Sequence, residues 1–192
     1  MGSRTKSLQI FGCPQKKLLA TLITFQFVYR PMSKQLNPGD AAPFFETLAI
    51  GGAYGEGTPV SSTSLKNKTA VLYFYPKDDT PGCTKQACGL RDAWTQFASL
   101  DAQIFGVSAD GEKSHRKFID KFSLPFPLLV DTDHKISENF GVWVEKSMYG
   151  KKYMGIERST FVIGPDGRIR NIFRKVKPEE HANILLAELT KH

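Results

Sequence analysis

Cys83 and Cys88 are the residues in this chain whose type and spacing could do chemistry. They lie in "YPKDDTPGCTKQACGL" (Tyr75–Leu90), five residues apart in a C-x4-C pattern. That is too long for the C-x-x-C of thioredoxin-like exchangers and zinc ribbons. Two thiols make a poor metal site, and the nearest histidines along the chain, His115 and His134, read as surface residues. A thiol is a nucleophile, a metal ligand or a disulfide half, so the surrounding residues decide among these uses.

Those residues predict a helix. Thr80 is a natural N-cap and Pro81 suits the first helical position. Cys83 then falls in the first turn, where its backbone N–H is one a capping Thr would engage. Ala87, Leu90, Trp94 and Phe97 continue from it as one apolar stripe. Cys83 is therefore expected at the buried N-terminal end of a core helix. There the helix dipole and free N–H groups favour the thiolate, the nucleophilic form.

On such a helix, five residues give a Cα–Cα distance of roughly 8.6 Å. A disulfide needs less than about 7 Å. Cys83 and Cys88 can bond only if the helix unwinds locally, and Gly89 weakens it by roughly 0.5–1 kcal/mol relative to Ala. A permanent disulfide is disfavoured, which leaves a cycle. Cys83 is oxidised on the folded helix, the helix loosens, and Cys88 closes the bond. The oxidised form that condenses with a thiol is a sulfenic acid, and a peroxide is the obvious oxidant.

The rest of the chain must position this helix. With 192 residues and 41% hydrophobic content it can bury one sizeable core. "TAVLYFYP" (69–76), "QIFGVSAD" (103–110) and "PLLVD" (127–131) read as buried strands. "EKSHRKFIDKF" (112–122) reads as a helix with Phe118, Ile119 and Phe122 inward, and "HKISENFGV" as a short helix ending near Gly141. "GGAYGEG" (51–57) is a hairpin loop without the GK[ST] of a phosphate loop. "STFVIGPDGRIRNIF" is a hairpin. "KPEEHANILLAELTKH" is a C-terminal helix with Pro178 near its first turn. Strand–helix alternation followed by a hairpin and helix indicates an α/β fold, a central sheet with helices on both faces. Trp94 and Trp143 read as core residues.

The net charge of +7 could suggest a nucleic-acid binder. However, six of those charges (Arg4, Lys6, Lys16, Lys17, Arg30 and Lys34) precede Asp40, the first acidic residue. A nearly neutral body argues against nucleic acid. Residues 1–33 read as a basic leader and 34–192 as the domain. The apolar run Leu18–Tyr29 is too short for a membrane span, so no stable membrane association is expected. A mis-assigned start, with Met32 as the true one, or a dispensable leader ranks first, an organellar transit peptide second and a secretory signal third. The expected location is cytoplasmic, or an organelle if residues 1–31 are a transit peptide. Cys13, in the leader, reads as incidental.

"YFYPKDDTPGCTKQACGLRD" resembles the active-site segment of peroxiredoxins. The P-x-x-x-T-x-x-C pattern falls on Pro76, Thr80 and Cys83, and a second Cys five residues on marks the bacterioferritin comigratory protein, or peroxiredoxin Q, subgroup. "GVSAD", "LPFPLLVD", "FGVWVEK", "YGKKYMGIERSTFVI" and "HANILLAEL" resemble that subgroup in order, over about residues 34–192. The resemblance implies a thioredoxin-like fold and a thiol peroxidase acting on hydrogen peroxide and organic hydroperoxides. It implies Cys83 as the peroxidatic and Cys88 as the resolving cysteine, joined in a redox disulfide. Thr80 would hold the peroxide, Arg158 would supply a guanidinium from a neighbouring strand, and Pro76 would shield the pocket. It further implies a monomer that needs no metal, haem or flavin. Thioredoxin is the expected reductant, with glutaredoxin or glutathione as alternatives. The rivals are a thiol–disulfide oxidoreductase on the same fold, and a holdase or redox sensor that consumes no peroxide.

Overall fold

A computed structural model describes residues 35–191 together with Gly2. The expectations for the leader and for Cys13 lie outside the described residues. The core of the fold is a seven-stranded mixed sheet with the order β2-β1-β5-β4-β3-β8-β9. Its strands are β1 (Glu46–Ile50), β2 (Thr58–Ser61), β3 (Thr69–Phe74), β4 (Ala102–Ser108), β5 (Leu128–Val130), β8 (Ser159–Ile163) and β9 (Ile169–Arg174). Strands β6 (Trp143–Met148) and β7 (Lys151–Ile156) form a separate antiparallel hairpin. The helices are α1 (Pro81–Asp92), α2 (Trp94–Ser99), α3 (Glu112–Phe122), α4 (Lys135–Asn139) and α5 (His181–Leu189).

The central strand carries the site. Residues 70–74 of β3 are all buried, because β3 runs parallel to β4 on one side and antiparallel to β8 on the other, with both faces covered. Its side chains alternate. Ala70, Leu72 and Phe74 enter the core beneath α4 and the β6–β7 hairpin. Val71 and Tyr73, with Tyr75 beyond the strand end, enter the core beneath α1, α2, α3 and α5. Helices therefore lie on both faces, as expected, although four of the five share one. Gly106 of β4 is required there, since a Cβ would stand 2.7 Å from the Tyr73 Oη and 2.6 Å from Leu128 Cδ2.

The buried strands, the β8–β9 hairpin and the loop between β1 and β2 match the sequence reading. Four local expectations are corrected. First, the stripe through Cys83, Ala87, Leu90, Trp94 and Phe97 spans two helices, because the chain leaves helical geometry at Ala93 (φ −93°, ψ 7°). Trp94 therefore lies on α2, half-buried against Phe126. Second, α5 begins at His181, so Pro178 lies in the turn before it. Third, His115 is fully buried rather than a surface residue, since both of its ring nitrogens find acceptors inside. His134 is half-buried, stacked on the half-buried Trp143 at 3.9 Å. Fourth, the β6–β7 hairpin was not anticipated.

Candidate active site

The loop between β3 and α1 is held by buried polar groups. Tyr75 donates its hydroxyl to Asp78 Oδ1 at 2.6 Å, and His115 Nδ1 lies 2.9 Å from Asp78 Oδ2. His115 Nε2 faces the Leu129 carbonyl at 3.2 Å. A carboxylate and a carbonyl only accept, so the ring is bonded as a donor from both nitrogens. Burial would push the Asp78 carboxyl up, but the bonds from His115 and Tyr75 outweigh it and hold Asp78 below the usual range. The Asp78 N–H donates to Asp110 Oδ2 at 2.8 Å, and Ser108 Oγ donates to the same oxygen. Asp79 adopts a left-handed conformation (φ 52°) and pairs with Lys121 at 2.7 Å. Pro76 is exposed at the start of this loop.

Thr80 caps α1 by position, and Pro81 is the first helical residue. Its side chain is used differently from expectation. The Thr80 hydroxyl donates to the Lys77 carbonyl at 3.1 Å and makes no capping bond to a helix N–H. The cysteine's helical N–H is thus not covered by the threonine side chain.

Cys83 is 2% exposed. Arg158 reaches it from the short link between β7 and β8, and Nη2 donates to Cys83 Sγ at 3.2 Å. The same guanidinium donates through Nη1 to Gln86 Oε1. The neighbouring Glu157 pairs with Arg174 at 3.7 Å, so it does not compete for Arg158. Burial, and next the Arg158 charge, hold Lys146 below the ordinary lysine range, while Glu157 and Cys83 act the other way.

Gln86 extends the network inward. Its Nε2 lies 3.0 Å from His181 Nδ1, and His181 Nε2 lies 2.9 Å from Thr160 Oγ1. Gln86, His181 and Thr160 are all buried. Burial first, and the Arg158 charge second, lower the His181 pKa to about 3. Sequence reasoning missed both Gln86 and His181. The available signal was one polar residue on the buried face of α1, three residues after Cys83.

Cys88 is half-buried on the same unbroken helix, and both cysteines are free thiols. Cys83, Arg158, Gln86 and Thr80 are thus gathered at one helix start, and Cys88 is one and a half turns further on. A concavity of about 850 Å³, lined by residues of β1, β2, β5 and α4 such as Glu46, Leu48, Val130 and Ile136, includes none of these residues.

Comparison with known proteins agrees with this arrangement. Residues 38–172 match the AhpC/TSA family. The chain is 52% identical over 143 residues to Peroxiredoxin Bcp of Bacillus subtilis, covering 74% of this chain and 88% of the relative. It is 40% identical over 157 residues to Peroxiredoxin Bcp of Escherichia coli, covering 82% and 97%. Among solved structures, Xanthomonas campestris peroxiredoxin Q superposes with a TM-score of 0.71 at 39% identity, covering 77% of this chain and 90% of that one. A cysteine-to-serine mutant of PrxQ from Xylella fastidiosa superposes with a TM-score of 0.75 at 36% identity, covering 82% and 98%. A buried first-turn cysteine under an arginine, on a fold and sequence of this kind, places the chain in the AhpC/TSA family, within its Bcp/peroxiredoxin Q group of peroxiredoxins.

Proposed function

We propose that this protein is a thiol peroxidase that reduces hydrogen peroxide and organic hydroperoxides through Cys83 and Cys88. The observation that carries the reading is the Arg158 guanidinium donating to a buried cysteine sulfur at the start of α1. Support for the substrate class comes from the relatives, one of which, the Xanthomonas campestris bacterioferritin comigratory protein, is described as having alkyl peroxide reduction activity.

In the first step the Cys83 sulfur attacks the nearer peroxide oxygen. A sulfur–oxygen bond forms and the O–O bond breaks. Cys83 is oxidised to the sulfenic acid, and the departing oxygen takes a proton to leave as water or alcohol. Negative charge spreads from sulfur to the two oxygens as this happens. A fixed guanidinium beside the sulfur stabilises that charge without reorganising. Because the Thr80 hydroxyl commits its proton to the Lys77 carbonyl, it presents lone pairs and accepts the peroxide O–H. Pro76, exposed at the loop, is assigned the shielding role.

In the second step the Cys88 sulfur attacks the Cys83 sulfenic sulfur. A disulfide forms and water leaves. Both cysteines lie on one continuous helix, so α1 opens for this step. A dithiol reductant of the thioredoxin class then exchanges with the disulfide, returning two thiols and leaving with its own disulfide. Glutaredoxin or glutathione is the alternative reductant. The enzyme is assigned as a monomer that resides in the cytoplasm, or in an organelle if residues 1–31 act as a transit peptide.

Cys83→Ser should abolish peroxide consumption. Cys88→Ser should consume one equivalent of peroxide and then stop under thioredoxin-driven turnover. Full turnover by Cys83→Ser would refute the assignment, and normal cycling by Cys88→Ser would refute the resolving role.

A further inference from the structure

The bond directions around Arg158 are fixed by chemistry. A guanidinium only donates, so the oxygen end of the Gln86 amide must face it. The amide NH₂ is then turned toward His181 Nδ1, which must accept. The single ring proton therefore sits on Nε2 and donates to Thr160 Oγ1 of β8. Every member of this chain inward of Arg158 is buried, so no water is available to substitute for a lost partner. A ring that failed to accept would leave the amide free to turn its NH₂ toward Arg158, placing donor against donor beside the thiol.

The same bond is also a tie between helices. Gln86 lies between Cys83 and Cys88 on α1, and His181 opens α5. The turn that must unwind for the cysteines to meet is the turn that Gln86 occupies. Unwinding it breaks the Gln86–His181 bond. The groups facing His181 are Gln86 and the Arg158 charge beyond it, Thr160 from β8 and the Tyr73 ring from β3 at 5.7 Å. No carboxylate is among its bonded partners, so nothing in the cluster favours a second ring proton, and Nδ1 persists as an acceptor.

We propose that His181 is a positioning residue for the peroxidase reaction: by accepting from Gln86 it aims Arg158 at Cys83, and it latches the α1 turn that must later open. The inference rests on the Cys83–Cys88 cycle proposed above. It assigns His181 effects of opposite sign on the two chemical steps. Loss of the acceptor slows attack on peroxide, because the guanidinium is no longer aimed. The same loss speeds disulfide closure, because one tie on the folded turn is gone.

The test uses His181→Leu and His181→Asn in the full chain. Asn places an amide oxygen near the position of Nδ1 and retains the acceptor, whereas Leu retains bulk alone. The second-order rate of Cys83 oxidation is measured by competition for hydrogen peroxide. The first-order rate of disulfide closure is followed by tryptophan fluorescence after a peroxide pulse. Thermal midpoints report folding. The Leu variant should be oxidised about tenfold more slowly and close its disulfide severalfold faster. The Asn variant should recover both rates toward wild type. Equal rates in Leu, Asn and wild type, or an Asn variant as slow to oxidise as Leu, would overturn the proposal and leave His181 a packing residue. If Cys83→Ser still consumed peroxide, the underlying cycle itself would fall, whatever the His181 variants did.

Discussion

Two fully buried histidines flank the cysteine helix, and they are bonded in opposite ways. His115 donates from both nitrogens, one of them to the Asp78 carboxylate, and so anchors the loop before α1. His181 accepts at Nδ1 from a neutral amide on α1 itself. Hydrogen bonds to a charged group are roughly twice as strong as neutral ones. The loop that presents Thr80 is therefore pinned by the stronger set, and the helical turn between the cysteines by the weaker one. For the proposed cycle, the difference puts the boundary between what stays and what moves at about Thr80. In the cycle proposed above, the loop upstream of it keeps its shape and α1 opens downstream.

The comparison breaks most readily at His115. His115→Leu leaves the Asp78 carboxylate buried with Tyr75 and without its main partner. Removing one partner of such a pair costs about 3–5 kcal/mol, read as a shift of the denaturant midpoint. A loss below 1 kcal/mol would show that the loop is not pinned in this way.

A second effect, spread over several pH units, comes from His181. The folded pKa of His181 is about 3, against 6.5 for a free histidine. As pH falls below 6.5 the unfolded chain binds a proton that the folded protein refuses. His181 thus contributes stability that is full above pH 6.5 and declines toward pH 3. The slope approaches about 1.4 kcal/mol per pH unit in that window. Asp78, whose folded pKa is lowered, adds its own loss only at lower pH, below the usual carboxylate value of 3.8. Urea denaturation at pH 7, 6, 5, 4 and 3 should therefore show a decline that starts near pH 6.5. His181→Asn should remove that early part while keeping the late one.

The smallest effect sharpens the mobile side. Gly89 lies within α1 with open space where a Cβ would stand. Gly89→Ala should stabilise the helix by about 0.5–1 kcal/mol. Peroxide attack should be unaffected, and closure of the Cys83–Cys88 bond should slow about two- to fivefold. An unchanged closure rate would mean that the turn around Gly89 does not unwind.

Much of this arrangement was legible in the sequence. The buried strands β3 and β4 announced themselves as unbroken apolar runs, and Thr80–Pro81 marked the start of α1, which placed Cys83. The β6–β7 hairpin carried no such signal. Its strands mix Trp143 and Val144 with Glu145, Lys146, Lys151 and Lys152, and most of their residues are at least partly exposed. The break at Ala93 has neither Gly nor Pro to announce it. The two histidines were illegible for a different reason. Their partners lie 37 residues away at Asp78 and 95 away at Gln86, and pairings of that range leave no local pattern. The Thr80 hydroxyl was misdirected because Lys77 O, three residues back, offered an acceptor that competes with the helix N–H groups.

The most direct measurement is amide hydrogen exchange on the reduced protein and on the Cys83–Cys88 disulfide form. The amides of residues 84–90 should lose protection on oxidation, while those of Tyr75 and Asp78, bonded to Val107 O and Asp110, keep theirs. Retained protection across α1 in a protein with a verified Cys83–Cys88 bond, or loss spreading into the Tyr75–Asp78 loop, would contradict the account.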